Sequence, residues 1–301
     1  MLLFFYLGHL SAAETDGFTN RYESNQDALP LINIEINQRM NNIVKILNQN
    51  YSHFKRCDWD ELHSQLGKHL RWPLQGQIEK YITDNGHISK SHLNISQSVY
   101  KNLSFIHFAP MKIGTFLGIG FTPPIYYNGL LIGADKFGHF LDEGYYYYHL
   151  VNKWNYSVEE VLDIGIFSEN YLEGKLTGGV YSFADLAANY DGYLFWTDLL
   201  GPHTKPELSK FFSCHLGIFK MYREIDLSEY VNAAWDEGMN CNEYRSEAMK
   251  NEVEKSIIEL EAKNQKRFHC PVYVNLIGEM INRYGPHAKK ILSPVLFIPT
   301  M

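Results

Sequence analysis

Cysteine is scarce in this chain: there are four in 301 residues, at Cys57, Cys214, Cys241 and Cys270, and none forms a C-x-x-C pair. That spacing argues against a zinc ribbon or a thioredoxin-like motif, both of which bring two thiolates together within one turn of chain. Basic residues are also short. Lys and Arg number 27 against 34 Asp and Glu, a formal net charge of −7. Duplex binding rests on cations that neutralise phosphates, so no nucleic-acid partner is expected. Beyond the amino terminus nothing approaches the roughly 20 uninterrupted apolar residues of a membrane helix, so no stable membrane span is expected either. Gly114, Gly118 and Gly120 do not follow the dinucleotide fingerprint, which speaks against nucleotide binding. Internal repeats, low-complexity tracts and long linkers are missing, and a single domain over residues 25–301 is the economical reading.

What is present is apolar and aromatic. At 45% hydrophobic and 20% charged the chain is globular, and it holds 21 Tyr, 18 Phe and 5 Trp. Most of these rings belong in a core, although Tyr-rich clefts also suit carbohydrates, where a ring face stacks on a sugar and the hydroxyl hydrogen-bonds. The amino-terminal sequence MLLFFYLGHLSAAETDG carries a short apolar run, then Ser11, Ala12 and Ala13 before acidic residues. This order matches the end of a secretory signal without its usual basic start, so residues 1–14 are expected to be a leader and the protein secreted or periplasmic. In that compartment Cys241 and Cys270 are the expected disulfide. Asn50, Asn94, Asn102 and Asn155 each begin an N-x-S triplet, a pattern that arises easily by chance in an Asn-rich chain.

Periodicity predicts a mainly α fold. Ile36, Met40, Ile43, Val44 and Leu47 fall at helical spacing, and Trp59, Leu62 and Leu66 mark a second helix that stops near Trp72-Pro73. Asn128-Gly129 between two apolar triplets is a type I′ hairpin signal and predicts a small β element. Further helices are expected over residues 210–222, after a capping Ser228, over 242–266 and over 274–284.

Two stretches can carry chemistry. In the first, residues 157–200, a helix places Glu169 and Glu173 four apart on one face, and Gly174 is expected to stop it. Thr177-Gly178-Gly179 allows a tight turn, and Ser182 is placed to cap a second helix holding Asp185 and Asn189. In the second, ADKFGHFLDEG, the residues Asp135, His139 and Glu143 lie at i, i+4 and i+8 with Asp142 beside them. A carboxylate, an imidazole and a carboxylate on one stripe can ligate a divalent metal, given a further ligand from Glu169, Glu173 or Asp185.

The order of helix, Glu, glycine-rich turn and helix over some 40 residues resembles the lysozyme-like superfamily. The resemblance implies a helical, lysozyme-like domain and an exported glycoside hydrolase acting on peptidoglycan or a related aminosugar polymer, without a cofactor or metal. It makes Glu169 the first choice of general acid and Glu173 or Glu143 the assisting carboxylate. Thr177, Tyr181, Ser182, Asp185 and Asn189 become substrate-binding groups. Two carboxylates within about 5 to 10 Å are what glycosidic cleavage requires. The Gly-Leu-Met-Gln-type motif of lytic transglycosylases is absent. Two other readings stand beside this one: a metal-dependent hydrolase built on Asp135, His139 and Glu143, and a non-catalytic envelope or binding protein with a buried network of Glu169, Asp185, His139 and Asn189. The DKFGH segment itself resembles a short motif of uncharacterised bacterial envelope proteins. Geometry discriminates: an open aromatic cleft over Glu169 favours the first, converging ligands the second, and full burial the third.

Overall fold

The computed structural model describes residues 15–23, 25–49, 57–71, 77–91, 95–103, 122–172, 174–176 and 179–298. Residues 1–14, expected as a leader, and Trp72-Pro73, Gly114, Gly118, Gly120, Glu173, Thr177 and Gly178 lie outside these residues.

The protein is mainly helical, with three two-stranded antiparallel sheets among the described residues. Helix α1 (Leu29–Gln49) buries Leu29, Ile32, Ile36, Met40 and Ile43, a three-and-four spacing that makes one continuous face. It packs on α2 (Trp59–Leu70), which Asp58 caps by accepting from the Glu61 amide, and near α3 (Gln77–Asp84). Strands β1 (Pro124–Tyr127) and β2 (Leu130–Gly133) form the expected hairpin, with Ile125 opposite Ile132. Its turn residues Asn128 and Gly129 both have positive φ, 45° and 81°, as a type I′ turn requires.

The centre is a pair of crossing helical segments. The first runs from α4 (Lys136–Gly138) through a π turn (His139–Glu143) into α5 (Gly144–Asn152). The second is α7 (Phe183–Leu200), buried on nearly every side and holding Phe195, Trp196, Leu199 and Leu200 in the core. Two glycines set their approach. A Cβ on Gly144 would lie 2.5 Å from the Gly192 backbone, and one on Gly192 would overlap the Phe140 carbonyl. Helix α6 (Val158–Tyr171) opens with a capping box, Ser157 and Glu160 bonding each other's backbone, and packs against α7.

Beyond α7 the structure departs from the expected helix over residues 210–222. That segment is a hairpin of β4 (Phe212–His215) and β5 (Ile218–Met221). Its period is two: Phe219 is buried while Ile218 is exposed, and Leu216-Gly217 turns the chain with φ of 50° and 78°. The expected helix after Ser228 is a pair of 3₁₀ turns, Leu227–Glu229 capped by Asp226 and Ala233–Trp235 capped by Asn232. Strand β3 (Val180–Tyr181) pairs with β6 (Glu243–Tyr244). The long charged helix α8 (Glu247–Asn264) starts later than expected, at the cap Ser246, and α9 (Ile277–Tyr284) and α10 (Ala288–Ile291) close the chain.

The Cys241–Cys270 disulfide forms as expected, and a second joins Cys57 to Cys214, tying the start of α2 to β4. Two disulfides are compatible with an oxidising compartment. No helix among the described residues is long and apolar enough to cross a membrane. The segment before α1 also belongs to the core: Thr15, Asp16 and Phe18 are buried, and Asp16 accepts from the amides of Phe18, Thr19 and Val99.

Candidate functional site

Asp135 closes the β1–β2 hairpin and opens the central helical run, yet its side chain does not cap the helix. It turns inward instead, where Oδ1 accepts from the Thr15 hydroxyl at 2.9 Å and Oδ2 meets Lys136 Nζ at 2.8 Å. Lys136 is 1% exposed. Its ammonium also contacts Glu237 Oε1 at 2.8 Å and pairs with Asp185 Oδ1. Three carboxylates therefore surround one ammonium. Their other oxygens are held too: Glu237 Oε2 accepts from Asn242 Nδ2 at 2.9 Å, and Asp185 Oδ2 lies 3.2 Å from His139 Nε2. The far nitrogen of that ring, Nδ1, is 3.0 Å from Asn189 Oδ1.

Local structure explains the convergence. Ser182 caps α7 by accepting from the Asp185 amide at 3.2 Å, which sets the first turn so that Asp185 and Asn189, four apart, face the central run. The π turn sets the other side. The Gly144 amide bonds the His139 carbonyl, an i→i+5 contact that inserts a residue into the turn. This breaks the expected stripe. Glu143, four after His139, drops out of register, and Asp185 from α7 takes its place: Asp135, His139 and Asp185 each bring a ligand atom to a group in which all lie within 4.8 Å of one another. Asp142 turns the other way, 3.4 Å from Arg71, whose guanidinium lies over the Tyr145 ring.

Electrostatics follow from crowding. Burial disfavours charge on Lys136, but Asp135, Asp185 and Glu237 outweigh it and hold the ammonium protonated far above its ordinary range. Burial likewise opposes a charged His139, yet Asp185, and after it Glu169, push its affinity for a proton well up. For Asp185 burial is outweighed by His139 and Lys136, which keep it ionised. Glu237 is pushed up to about 7, by burial first and then by Asp135 and Asp185 against the pull of Lys136. Burial first, and then Asp135 and Asp185, thus favour the protonated form of this carboxyl more than Lys136 opposes it.

The residues expected to serve a glycosidase are placed differently from one another. Glu169 is 2% exposed on α6, and Gly174 packs directly on it. The helix ends at Tyr171, before Gly174. Tyr181 is 5% exposed, with its ring edge-on to Phe183 at 4.7 Å, and burial with Glu169 and Glu243 nearby pushes its phenol up. Ser182 spends its oxygen on the helix cap, while Asp185 and Asn189 join the Lys136 cluster. Glu173 and Thr177 fall outside the described residues. Within the charged cluster His139 and Asp185 are the most exposed, their side chains 17% and 12% exposed against 7% for Asp135 and 1% for Lys136 and Glu237.

Sequence reasoning missed Lys136, Glu237, Thr15 and Asn242. Lys136 had a signal, a lysine directly between an Asp and an apolar residue at the start of a buried helix. Glu237 sits in an irregular segment that no periodicity marks.

Comparison of the chain with protein-family models, with curated proteins and with solved structures gives no match.

Proposed function

We propose that this chain is an exported metal-dependent hydrolase in which Asp135, His139 and Asp185 hold one divalent cation. The observation that carries the reading is the convergence of these three ligands with the back of the imidazole already engaged. A metal-bound His characteristically donates its second N–H to an acceptor that fixes the ring, which is the place Asn189 Oδ1 has on Nδ1. The spacing agrees. Ligands about 2.0 to 2.2 Å from one ion in a tetrahedral arrangement lie roughly 3.3 to 3.6 Å from each other; His139 Nε2 and Asp185 Oδ2, an ion pair without the metal, are 3.2 Å apart, and all three ligand atoms lie within 4.8 Å of one another.

Charge supports the same reading. Asp135, Asp185, Glu237 and Glu169 against Lys136 and the proton that His139 holds leave the pocket net negative, and a divalent ion offsets that surplus. When bound, such an ion polarises a phosphoryl or carbonyl oxygen and lowers the pKa of a water. The protein's own groups do the rest. His139 and Asp185 present the open edge of the site to substrate, Asn189 holds the imidazole, and Glu169, whose charge raises the proton affinity of His139, would be the carboxylate available as a base if an ion were bound.

Hydrolysis of the polysaccharide class is the second reading. Its aromatic surroundings are present, Tyr181 near Glu169 and Phe167 and Tyr171 exposed on α6 with their rings 5.0 Å apart, but the open cleft it calls for is not, since Glu169 is buried. One experiment separates the two. Chelator-stripped protein is assayed on phosphate esters, carboxylic esters and peptidoglycan, with and without Zn²⁺, Mn²⁺ and Mg²⁺. Ester hydrolysis that requires a cation and is lost in His139→Ala and Asp185→Asn is the expected result. Metal-independent release of sugar fragments, lost in Glu169→Gln, would establish the second reading, and no turnover of any substrate would leave a non-catalytic envelope protein.

A further inference from the structure

The ammonium of Lys136 is the part of the cluster that the hydrolytic reading leaves without a task. It has three N–H bonds and three carboxylate partners, Asp135, Asp185 and Glu237, so none is left to meet a substrate. It is 1% exposed, which removes it as a nucleophile toward anything that arrives from solvent. A buried lysine so fully engaged can act only as a fixed positive charge.

The arrangement around it is that of a second cation seat. Asp185 bridges, one oxygen on Lys136 Nζ and the other facing His139 Nε2. In two-metal hydrolytic sites a carboxylate spans two ions about 3.5 to 4 Å apart in this manner. The seat does not depend on the lysine for its shape. Asp135 is pinned from behind by Thr15, itself 2.9 Å from the Thr122 hydroxyl, and Glu237 is pinned by Asn242. The inner oxygens of Asp135 and Glu237 stand 2.8 Å from Nζ, a few tenths of an ångström beyond the 2.3 to 2.6 Å at which oxygen binds Ca²⁺.

We propose that Lys136 occupies the seat of a second divalent ion, so that the native site is mononuclear, and that replacing Lys136 by a neutral residue opens that seat to a hard divalent cation. This rests on the metal reading given above. Charge points the same way: Lys136 offsets part of the negative charge of Asp135, Asp185 and Glu237, and its removal leaves that share to a second cation.

The test is Mn²⁺ binding to the chelator-stripped full chain, with stoichiometry read by elemental analysis and by electron paramagnetic resonance. Wild type is expected to bind one equivalent with the spectrum of an isolated ion. Lys136→Met is expected to bind two, with the exchange-coupled spectrum of a close pair. Two equivalents in wild type, or one in Lys136→Met, would overturn the inference while the metal reading stands; none in wild type overturns both. If Lys136→Met does not fold when stripped, its thermal unfolding with Ca²⁺ or Mn²⁺ decides. Recovery of the folded transition by the cation in Lys136→Met that also carries His139→Ala, which removes the first seat, supports the second seat, and failure to recover contradicts it.

Discussion

Two buried polar centres lie six residues apart on α7, and they are built on opposite principles. Asp191 is wholly buried and receives donors from every side: Trp235 Nε1, Tyr284 OH and Asn232 Nδ2, each at 2.8 Å on one oxygen, and the Arg283 fork on the other. Around Asp185 the balance is reversed, with three carboxylates sharing one ammonium. Trp235, Asp236 and Glu237, three consecutive residues, serve three centres. Trp235 donates to Asp191, Asp236 pairs with Arg21 and accepts from the Leu131 and Gly238 amides, and Glu237 joins Lys136. The difference separates roles. A carboxylate saturated by donors fixes the fold, whereas a pocket with more carboxylates than cations has room for a charge from outside.

The largest expected effect is at the saturated centre. Asp191→Ala strands Arg283 and three other donors, and a loss of about 3 to 5 kcal/mol in denaturant unfolding is expected. Cation affinity per folded molecule should stay at the wild-type value. A loss under 1 kcal/mol would break the comparison. Next comes Gly192→Ala, whose Cβ overlaps the Phe140 carbonyl next to His139. Overpacking of this kind costs about 1 to 3 kcal/mol. Because it displaces the π turn, cation affinity should fall along with stability; an unchanged affinity would show that the turn does not set the ligands.

A smaller effect is expected for Glu237→Gln. The fold raises this carboxyl from 4.5 to about 7, so between those values the native protein holds the extra proton and apo stability declines as pH rises. The glutamine variant should lose that decline and, above pH 7, unfold no more easily than wild type. Marked destabilisation there would mean that the pocket carries no surplus charge. The smallest effect concerns His149, away from both centres. Burial pushes its imidazole down to about 4, from 6.5. The unfolded chain takes up the proton first, so stability falls as pH drops from 6.5 toward 4, and His149→Gln should flatten that limb without changing cation binding.

Much of the scaffold was legible because it rests on local rules. The α1 face, the Asn128-Gly129 hairpin and the Ser182 cap each follow from spacing or from one residue's conformational preference, whereas Cys241–Cys270 was the expected one of several pairings that four cysteines allow. The β4–β5 hairpin was not, since its apolar residues also suit a helix and only Leu216-Gly217 and the bond from Cys57 decide otherwise. At the site, Asp135, His139, Asp185 and Asn189 were visible on two stretches, and Asp185 as a further ligand and a network joining His139, Asp185 and Asn189 were among the expected arrangements. That they meet depends on a π turn, which no sequence period announces and which exchanges Glu143 for Asp185. Lys136 and Glu237 lie 101 positions apart and are joined by tertiary packing alone.

The central claim is that the pocket of Asp135, His139 and Asp185 holds a divalent cation. Thermal unfolding of chelator-stripped protein, titrated with Zn²⁺ and Mn²⁺, tests it most directly. A cation at a hundred times its dissociation constant adds about 2.7 kcal/mol to a native state that binds it. The account therefore requires a clear upward shift in Tm for wild type that is abolished in His139→Ala. An unchanged Tm in wild type, or an equal rise in both proteins, would contradict it.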